Sequence, residues 1–320
     1  MGVKPFGQLE VIPCEPRSPR RSPERSRRSY DIFICAPHAR AVSDVRGIRF
    51  TTTVSRSLAV VTGGASGLGK IIAWTLHRQG WHVAIADRDQ DAGVALADEL
   101  NNAAGRGTFI RVDISDENEV RRLFEQLAAL GHMRLLVNNA GGWLPGPQFP
   151  DTDGWHRSLD LNLRMPMLAT QLALPLMHDG GAVINISSSA GWDSAAYGSP
   201  EYAVAKAGLI RFTTAVADFA ERFGVRVSCV VPHWIGLPRA VAEFDQMSAE
   251  ARARSGGLID PLVVVDAVLE LADDPNSAGR IAIVRAGRRP YAIDPAASDP
   301  LIDIDRRGLA AESRSNEPSR

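Results

Sequence analysis

Between residues 57 and 290, short apolar runs alternate with segments whose apolar residues recur at helical spacing. The first run, LAVVTGG, is continuous and ends in glycines, which is typical of a buried strand. The segment GLGKIIAWTLHRQG that follows places Leu68, Ile71, Ile72 and Leu76 on one helical face. Later strands are predicted at WHVAIAD, TFIRVD, RLLVNNAG, AVINISS and VRVSCVV. Later helices are predicted over about 90–100, 117–130, 155–177 and 200–223.

This alternation of strands and helices predicts the fold class. Nearly continuous apolar strands separated by helices indicate a parallel sheet that is covered on both faces. We therefore predict a three-layer α/β fold, a doubly wound parallel sheet in a single domain over residues 57–290. A last strand at RIAIVRAG closes the sheet, and the segment from about 238 to 260 is expected to form a mobile lid.

The two ends of the chain differ from this domain in composition. Residues 1–57 hold eleven Lys and Arg against five Asp and Glu, mostly within RSPRRSPERSRRSY. Repeated prolines and like charges predict that residues 1–56 are a disordered extension, and residues 291–320 are expected to be a disordered polar tail. A Ser/Arg-rich extension can bind RNA or accept phosphate, so this alternative stays open. For the chain as a whole, a net charge of −1 predicts no nucleic-acid partner.

Cysteine usage and hydropathy exclude several classes of protein. Cys14, Cys35 and Cys229 are far apart and odd in number, which argues against a disulfide framework and favours a reducing, cytoplasmic location. No apolar run approaches the roughly 20 residues that span a bilayer, so no membrane association is expected. The histidines and cysteines show no metal-ligand spacing, and we predict no metal site.

A glycine-rich loop joins the first strand to the first helix. In TGGASGLG, glycines at 63, 67 and 69 permit a sharp turn and a close approach of backbone to a pyrophosphate. Amides at the start of the following helix would face the phosphates. Asp87 ends the second strand, where a carboxylate accepts hydrogen bonds from ribose hydroxyls and repels a 2′-phosphate. This favours NAD over NADP, although Arg88 could instead pair with a phosphate.

Five motifs now stand in one order: the glycine loop, Asp87, NNAG at 138–141, NISS at 185–188, and Tyr202 with Lys206. In this order they resemble the short-chain dehydrogenase/reductase family of the classical type. The resemblance implies a Rossmann fold and hydride transfer between a nicotinamide cofactor and a secondary alcohol or ketone. It also implies a homodimer or homotetramer that pairs through the helices near 155–177 and 200–223.

The resemblance assigns a role to each matching residue. Tyr202 matches the catalytic acid/base, Lys206 the lysine that binds the nicotinamide ribose and lowers the tyrosine pKa, and Ser188 the serine that supports the substrate oxygen. Asn162 matches the asparagine of a proton relay. A free phenol titrates near 10, so a neighbouring cation is needed for it to act as a base at neutral pH. The cofactor contacts expected are Thr62, Gly63, Ser66, Gly67, Leu68, Gly69, Asp87, Asp113, Ile114, Asn139, Ala140, Gly141, Tyr202, Lys206, Pro232 and Ile235.

Two local choices stay open at this point. Ser188 and Ser189 are adjacent, so only one can face the cleft squarely; NISS selects Ser188, whereas the spacing to Tyr202 also permits Ser189. Pro166 lies four residues after Asn162 in a predicted helix and cannot donate to the Asn162 carbonyl. We hypothesise that this carbonyl binds a water of the relay; a plain helix bend is the alternative.

The chain departs from the family pattern after the sixth strand. It reads PHWIGLP, with His233 in place of a glycine and Leu237 in place of a threonine that would bond the cofactor. These departures support an alternative function, a regulatory protein that binds the dinucleotide without turnover. Substrate walls, expected to suit an apolar or cyclic molecule, are Trp143, Leu144, Trp192, Asp193, His233 and Trp234.

Overall fold

A computed structural model describes residues 57–103, 105–177, 180–194 and 196–293, with the side chain of residue 254 excepted. The predicted extension, residues 1–56, lies outside the described residues, and so does residue 294 onward of the predicted tail. The account below concerns the described residues, which fall within the unit Arg56–Arg320.

The described strands form one eight-stranded sheet in the order β3-β2-β1-β4-β5-β6-β7-β8. Neighbours from β3 to β7 pair in parallel, so the doubly wound parallel sheet is confirmed. β8 pairs antiparallel with β7, and it carries the sheet three residues past the predicted domain end at 290. The strands are β1 Leu58–Thr62, β2 His82–Asp87, β3 Arg106–Arg111, β4 Met133–Asn138, β5 Gly181–Ile186, β6 Val225–Pro232, β7 Ile281–Val284 and β8 Tyr291–Ile293.

The helices cover both faces of this sheet. α10 has no counterpart among the predicted helices, because its run of three valines lacks a clear polar face. The lid segment carries α8 and α9. The helices are α1 Gly67–Arg78, α2 Gln90–Asn102, α3 Glu117–Leu130, α4 His156–Leu159, α5 Met165–Ala173, α6 Pro200–Ala215, α7 Phe219–Phe223, α8 Pro238–Asp245, α9 Ala249–Ser255 and α10 Pro261–Asp273.

Two predicted helices are interrupted. The helix expected over 155–177 contains a π-helical turn, Asp160–Arg164, between α4 and α5. The helix expected over 200–223 ends at Ala215 and resumes at Phe219. Before that break, the hydroxyls of Thr213 and Thr214 donate to backbone carbonyls one turn back, and such bonds weaken a helix.

The core consists of two apolar layers, one on each face of the sheet. Alternate residues of β1 separate them, since successive side chains of a strand point to opposite faces. Ala59 and Val61 join the layer under α1, α2 and α10, whereas Leu58 and Val60 join the layer under α3 and α5. The carboxyl ends of parallel strands all lie at the same end of the sheet, and the candidate site is at this end.

Candidate active site

A cleft of about 570 Å³ opens at the carboxyl ends of the parallel strands. The loops that follow β1 and β4 both line it, and between these strands the chain switches from one side of the sheet to the other. Ligands of doubly wound sheets bind at this switch point. Every predicted site residue lines the cleft except Thr62, Gly69 and Asn162.

Three glycines shape the loop between β1 and α1. Gly63 and Gly67 have φ values of 62° and 52°, in the left-handed region that favours glycine. A Cβ on Gly69 would lie 2.1 Å from the Gly63 carbonyl oxygen, so this position tolerates only hydrogen. α1 begins at Gly67 with no side-chain cap from Ser66, which leaves the first amides of the helix available to a phosphate.

Thr62 and Asn139 support the loop from behind the cleft. The Thr62 hydroxyl accepts hydrogen bonds from the amides of Asn139 and Ala140, both at 3.0 Å. The Asn139 side chain donates to the carbonyl oxygens of Thr62 and Gly63 at 2.9 and 3.0 Å. Because these bonds join the ends of β1 and β4, they fix the loop across the switch point.

Two carboxylates line the end of the cleft beside β2 and β3. Asp87 accepts hydrogen bonds from the amides of Ala65 and Asp89, at 3.0 and 3.1 Å. Asp113 accepts from the amide and the hydroxyl of Ser115, and these bonds lower the Asp113 pKa. Both carboxylates are therefore held in place by nearby donors, and Arg88 lines the cleft between them.

Asn162 holds the backbone that passes beside the cleft. Its Oδ1 accepts from the Gly142 amide at 2.8 Å, and its Nδ2 donates to the carbonyls of Gly142 and Ser158 at 3.1 and 3.0 Å. A Cβ on Gly141 would lie 2.7 Å from that Oδ1 and 3.3 Å from the Lys206 Nζ. The chain thus threads between Asn162 and Lys206 at a position where only glycine fits.

The π turn explains how Pro166 is accommodated next to Asn162. In this turn the Met165 amide donates to the Asp160 carbonyl, five residues back. Pro166 has no amide hydrogen, so the Asn162 carbonyl has no partner in the ordinary helical register. The interrupted helix agrees with the predicted bend, while the water at the Asn162 carbonyl stays a prediction.

Tyr202, Lys206 and Ser188 meet on one wall of the cleft. α6 begins at Pro200 and buries both Tyr202 and Lys206 on the same face. The Lys206 Nζ donates to the Ile186 carbonyl at 2.9 Å and lies 5.7 Å from the centre of the Tyr202 ring. The Ser188 side chain lies close enough to the Tyr202 hydroxyl to lower its pKa.

The neighbouring serines take different positions. Ser187 is buried and donates to the Lys206 carbonyl at 2.8 Å, which ties β5 to α6. Ser189 starts a short 3-10 turn, Ser189–Gly191, and is not among the residues that line the cleft. The geometry therefore favours Ser188 over Ser189 as the serine beside Tyr202.

Burial governs the protonation of this wall. It raises the Tyr202 pKa to about 12, with Ser188 opposing the shift. It also lowers the Lys206 pKa to about 8. Desolvation of the phenolate is the largest of these effects on Tyr202, and the lowering of its pKa by Lys206 together with a positive nicotinamide ring stays a prediction.

The family model for short chain dehydrogenases matches residues 57–248. The chain belongs to the short chain dehydrogenase family. It is 34% identical to a cis-4-hydroxycyclohexanecarboxylate dehydrogenase from Sinomonas cyclohexanicum, over 72% of this chain and 95% of that protein. As a member of this family, the chain is an oxidoreductase that acts on alcohol or ketone groups with a nicotinamide cofactor.

Two solved structures of the family superpose with a TM-score of 0.65 each. One is a single-residue variant of the actinorhodin polyketide ketoreductase with NADPH, 25% identical over 72% of this chain and 97% of that one. The other is a 7α-hydroxysteroid dehydrogenase with NADH and 7-oxo glycochenodeoxycholic acid, 27% identical over 72% of this chain and 93% of that one. One structure carries NADPH and the other NADH, so the likeness supports a nicotinamide cofactor of either kind.

His233 and Leu237, the departures from the family pattern, occupy defined places. The His233 amide donates to the Val284 carbonyl at 2.9 Å, and its side chain lies 4.0 Å from Asp193. Burial lowers the His233 pKa, with Asp193 opposing the shift. Leu237 Cδ1 lies 3.6 Å from the position of a Cβ on Gly67, so an apolar side chain packs against the glycine loop.

The substrate walls differ in part from those predicted. Trp143, Leu144 and His233 line the cleft, whereas Trp192, Asp193 and Trp234 do not. Arg239, in the first turn of α8, lines it and was missed, because a lone arginine in a polar lid carries no pattern. Tyr197, which lacks a partner lysine in the sequence, packs with its ring centre 6.0 Å from that of Tyr202.

A buried polar network behind the site was also missed. The Asn138 side chain donates to the Asn185 side chain at 2.9 Å and to Thr170 at 3.3 Å. Asn185 donates to Thr213 at 3.0 Å. The network joins β4 and β5 to α5 and α6, the helices on either side of the site. Two asparagines inside otherwise apolar strands were the available signal, since a buried amide requires partners.

Membrane-spanning helices and metal-binding groups are both absent from the described part of the chain. None of its helices combines the length and the apolar character that a bilayer span requires. The His, Cys, Asp and Glu side chains of the same residues form no group of three that could hold a metal ion.

Proposed function

We propose that this protein is an NAD-dependent dehydrogenase/reductase in which Tyr202 is the general acid/base. The observation that carries the proposal is that Tyr202, Ser188 and Lys206 line one cleft, with Ser188 beside the Tyr202 hydroxyl. A nicotinamide ring bound in this cleft would accept or donate the hydride. The chain's own residues then have to move one proton at the substrate oxygen.

Tyr202 and Ser188 would share the substrate oxygen. In the reductive direction the phenol donates its proton to the forming alkoxide, and a Tyr202 pKa of about 12 keeps that proton in place at neutral pH. Ser188 donates a hydrogen bond as charge develops on the oxygen. In the oxidative direction the phenol must lose its proton first, so the positive charges at the cleft have to offset its burial.

Lys206 and Asn162 would act behind this pair. The Lys206 Nζ is anchored to the Ile186 carbonyl and is close to Gly141, the residue that Asn162 and Lys206 enclose. We propose that Lys206 binds the ribose of the cofactor and that a water on the Asn162 carbonyl returns the proton to solvent. The Asn162 side chain holds Gly142 and so keeps this path open.

NAD is the proposed cofactor. Asp87 stands at the end of β2, held by two backbone amides, where it would accept the ribose hydroxyls and repel a 2′-phosphate. Arg88 beside it is the feature that would serve NADP. The proposed substrate is an apolar or cyclic secondary alcohol or its ketone, since Trp143 and Leu144 line the cleft and a similar protein is named for a hydroxycyclohexane acid.

Two properties of the whole molecule are also proposed. We expect a homodimer or homotetramer, since Met167 of α5 and Val204 of α6 expose apolar side chains. Light scattering of the purified protein would report its mass. The dispersed cysteines favour a reducing, cytoplasmic location.

Nicotinamide absorbance during incubation with cyclic secondary alcohols and ketones tests the proposal. Wild type should turn over at least one of them, and Tyr202→Phe should lose activity by about 100- to 10,000-fold, the usual contribution of a general acid/base. Fluorescence titration with NADH serves as the control, since Tyr202→Phe should still bind it. Undiminished activity of Tyr202→Phe would overturn the assignment of the acid/base. NADH binding without turnover of any alcohol or ketone would favour the regulatory alternative.

A further inference from the structure

Resting on the proposed function, we propose that Arg239 binds an anionic group of the substrate, a carboxylate on the alcohol or ketone. Arg239 lies in the first turn of α8 and lines the same cleft as Tyr202 and Ser188. The substrate class is thereby narrowed to hydroxy and oxo acids. The inference depends on where the guanidinium lies, which donors it leaves open and which other charges surround it.

The guanidinium of Arg239 lies against an aromatic side chain of the cleft. Its carbon lies 4.9 Å from the centre of the Trp143 ring, in a cation–π contact, and Trp143 also lines the cleft. Immediately before α8, Leu237 packs against the glycine loop. The packing of Leu237 positions the start of α8, and the indole of Trp143 lies beside the guanidinium of Arg239.

Arg239 retains open hydrogen-bond donors. Its Nε donates to Glu243 at 2.8 Å, and no other hydrogen bond of this side chain is found among the described residues. The N–H bonds of both terminal nitrogens therefore remain for a ligand. A planar fork of this kind matches the two oxygens of a carboxylate, which a lysine does not.

The surrounding charges make this arginine the available cation at the substrate end. Two other lysine or arginine residues line the cleft. Arg88 follows Asp87 in the sequence, and Lys206 donates a hydrogen bond to the Ile186 carbonyl. Arg285, near His233, is paired with Asp193 at 3.0 Å. The Arg285 Nε has no hydrogen-bond partner within the described part of the chain either, but Arg285 does not line the cleft. Among the residues that the structure describes, Arg239 is therefore the cation at this end of the cleft whose terminal nitrogens are open to a ligand.

Glu243 competes for Arg239 but only weakly. The two residues are one helical turn apart, and their side chains are 60% and 50% exposed. Exposed ion pairs of this kind contribute little to stability, so a substrate carboxylate inside the cleft can displace or share the contact. Removal of the Glu243 charge should strengthen binding of the anion.

Tyr197 lies near both Arg239 and Tyr202. Its ring centre lies 6.0 Å from that of Tyr202, and its phenol feels the charges of both Arg239 and Glu243. An aromatic side chain therefore fits between the catalytic wall and the lid helix.

Equilibrium binding gives a test that does not require turnover. The probes are 4-oxocyclohexanecarboxylate and its methyl ester, which have the same ring and carbonyl but differ in charge. Calorimetry is performed on Tyr202→Phe protein saturated with NADH. The acid should bind about tenfold or more tightly than the ester. When Arg239→Gln is combined with Tyr202→Phe, this preference should disappear, and the affinity for the ester should stay within about threefold of its value in Tyr202→Phe.

Arg222→Gln is a matched control. Arg222 is also exposed, also ion-paired along its helix, with Asp218 at 3.1 Å, and also stacked on an aromatic ring, that of Phe223. It lies on α7, outside the cleft, so its replacement should leave both affinities unchanged. Glu243→Gln should raise the affinity for the acid by about twofold and leave that for the ester unchanged.

The cofactor pyrophosphate is the other anion that Arg239 could meet. An equal loss of NADH affinity in Arg239→Gln would assign the arginine to the cofactor and overturn the substrate role. The substrate role of Arg239 would also be overturned if the Tyr202→Phe protein, which retains Arg239, bound the acid and the ester equally well or did not bind the acid. Failure of the proposed function would give a different result from failure of the Arg239 role: the wild-type protein would show no turnover, but the acid would still bind more tightly than the ester.

Discussion

The Nζ of Lys206 donates a hydrogen bond to the carbonyl oxygen of Ile186 at 2.9 Å, in a position that is almost fully buried. The contact connects the middle of α6 to the last residue of β5, immediately before Ser187 and Ser188. A single neutral acceptor compensates poorly for the loss of water around an ammonium. The charged form of Lys206 is therefore energetically unfavourable in this position, and the Lys206 pKa falls to about 8.

This shift predicts a measurable pH dependence of stability. Lys206 titrates at about 8 when folded and at 10.5 when unfolded, so the unfolded chain holds more protons between these values and stability rises with pH. The penalty is fully present below pH 8. Relative to Lys206→Met, the unfolding free energy of wild type should therefore rise by about 2 kcal/mol between about pH 7 and pH 9.5.

Urea unfolding of both proteins at the two pH values provides the measurement. Both proteins carry Cys229→Ala, because the Cys229 thiol and Lys206 shift each other's pKa. The titration of Tyr202 occurs in both proteins and cancels in the difference. A difference that stays constant with pH would show that the lysine is not buried as a charge.

The glycine loop makes a second prediction, at Gly69. An alanine there places its Cβ 2.1 Å from the Gly63 oxygen and 2.6 Å from the Asn139 Nδ2, and neither backbone nor a bonded amide can yield. The loop must deform, so Gly69→Ala should weaken NADH binding by about tenfold or more.

Gly198→Ala is the control for this substitution, because a Cβ at Gly198 meets no atom within 4 Å. Fluorescence titration with NADH reports the affinity, and circular dichroism confirms that each variant is folded. Wild-type affinity of folded Gly69→Ala would contradict the role of the loop.

Much of the fold could be predicted because its signals are local. The strands of the sheet from β1 to β6, apart from the edge strand β3, are nearly continuous apolar runs, and the helices between them show one apolar face. The order of the motifs then located the cleft, since parallel strands bring their carboxyl ends together. Ser188 could be favoured over Ser189 from its place in NISS, and the structure places it beside Tyr202.

What could not be predicted depends on tertiary contacts. The sign of the Tyr202 pKa shift depends on how completely water is excluded, and sequence spacing carries no measure of burial. The place of Arg239 depends on Trp143, which lies far earlier in the chain. The π turn follows from Pro166 in principle, but the register that absorbs a proline is chosen by the packing around it.

The third prediction concerns the choice of cofactor. Asp87→Ser removes the carboxylate that would repel a 2′-phosphate and leaves Arg88 in place to attract it. The ratio of kcat/KM for NADPH to that for NADH should rise by about tenfold or more. Asp89→Ser removes a nearby charge outside the cleft and keeps a residue that can cap α2, so its ratio should not change. A wild-type preference for NADPH would contradict the assignment of NAD.

The fourth prediction concerns the buried pair Asn138 and Asn185. Replacing one asparagine by leucine leaves the other amide without its partner, and an unsatisfied buried polar group costs about 1–3 kcal/mol. Replacing both removes donor and acceptor together, so the double variant should lose less stability than the sum of the single variants. A double-mutant cycle in urea should give a coupling of about 1 kcal/mol or more, whereas independent sites add within about 0.5 kcal/mol. Strict additivity would mean that the 2.9 Å hydrogen bond between the two side chains does not stabilise the link from β4 to β5.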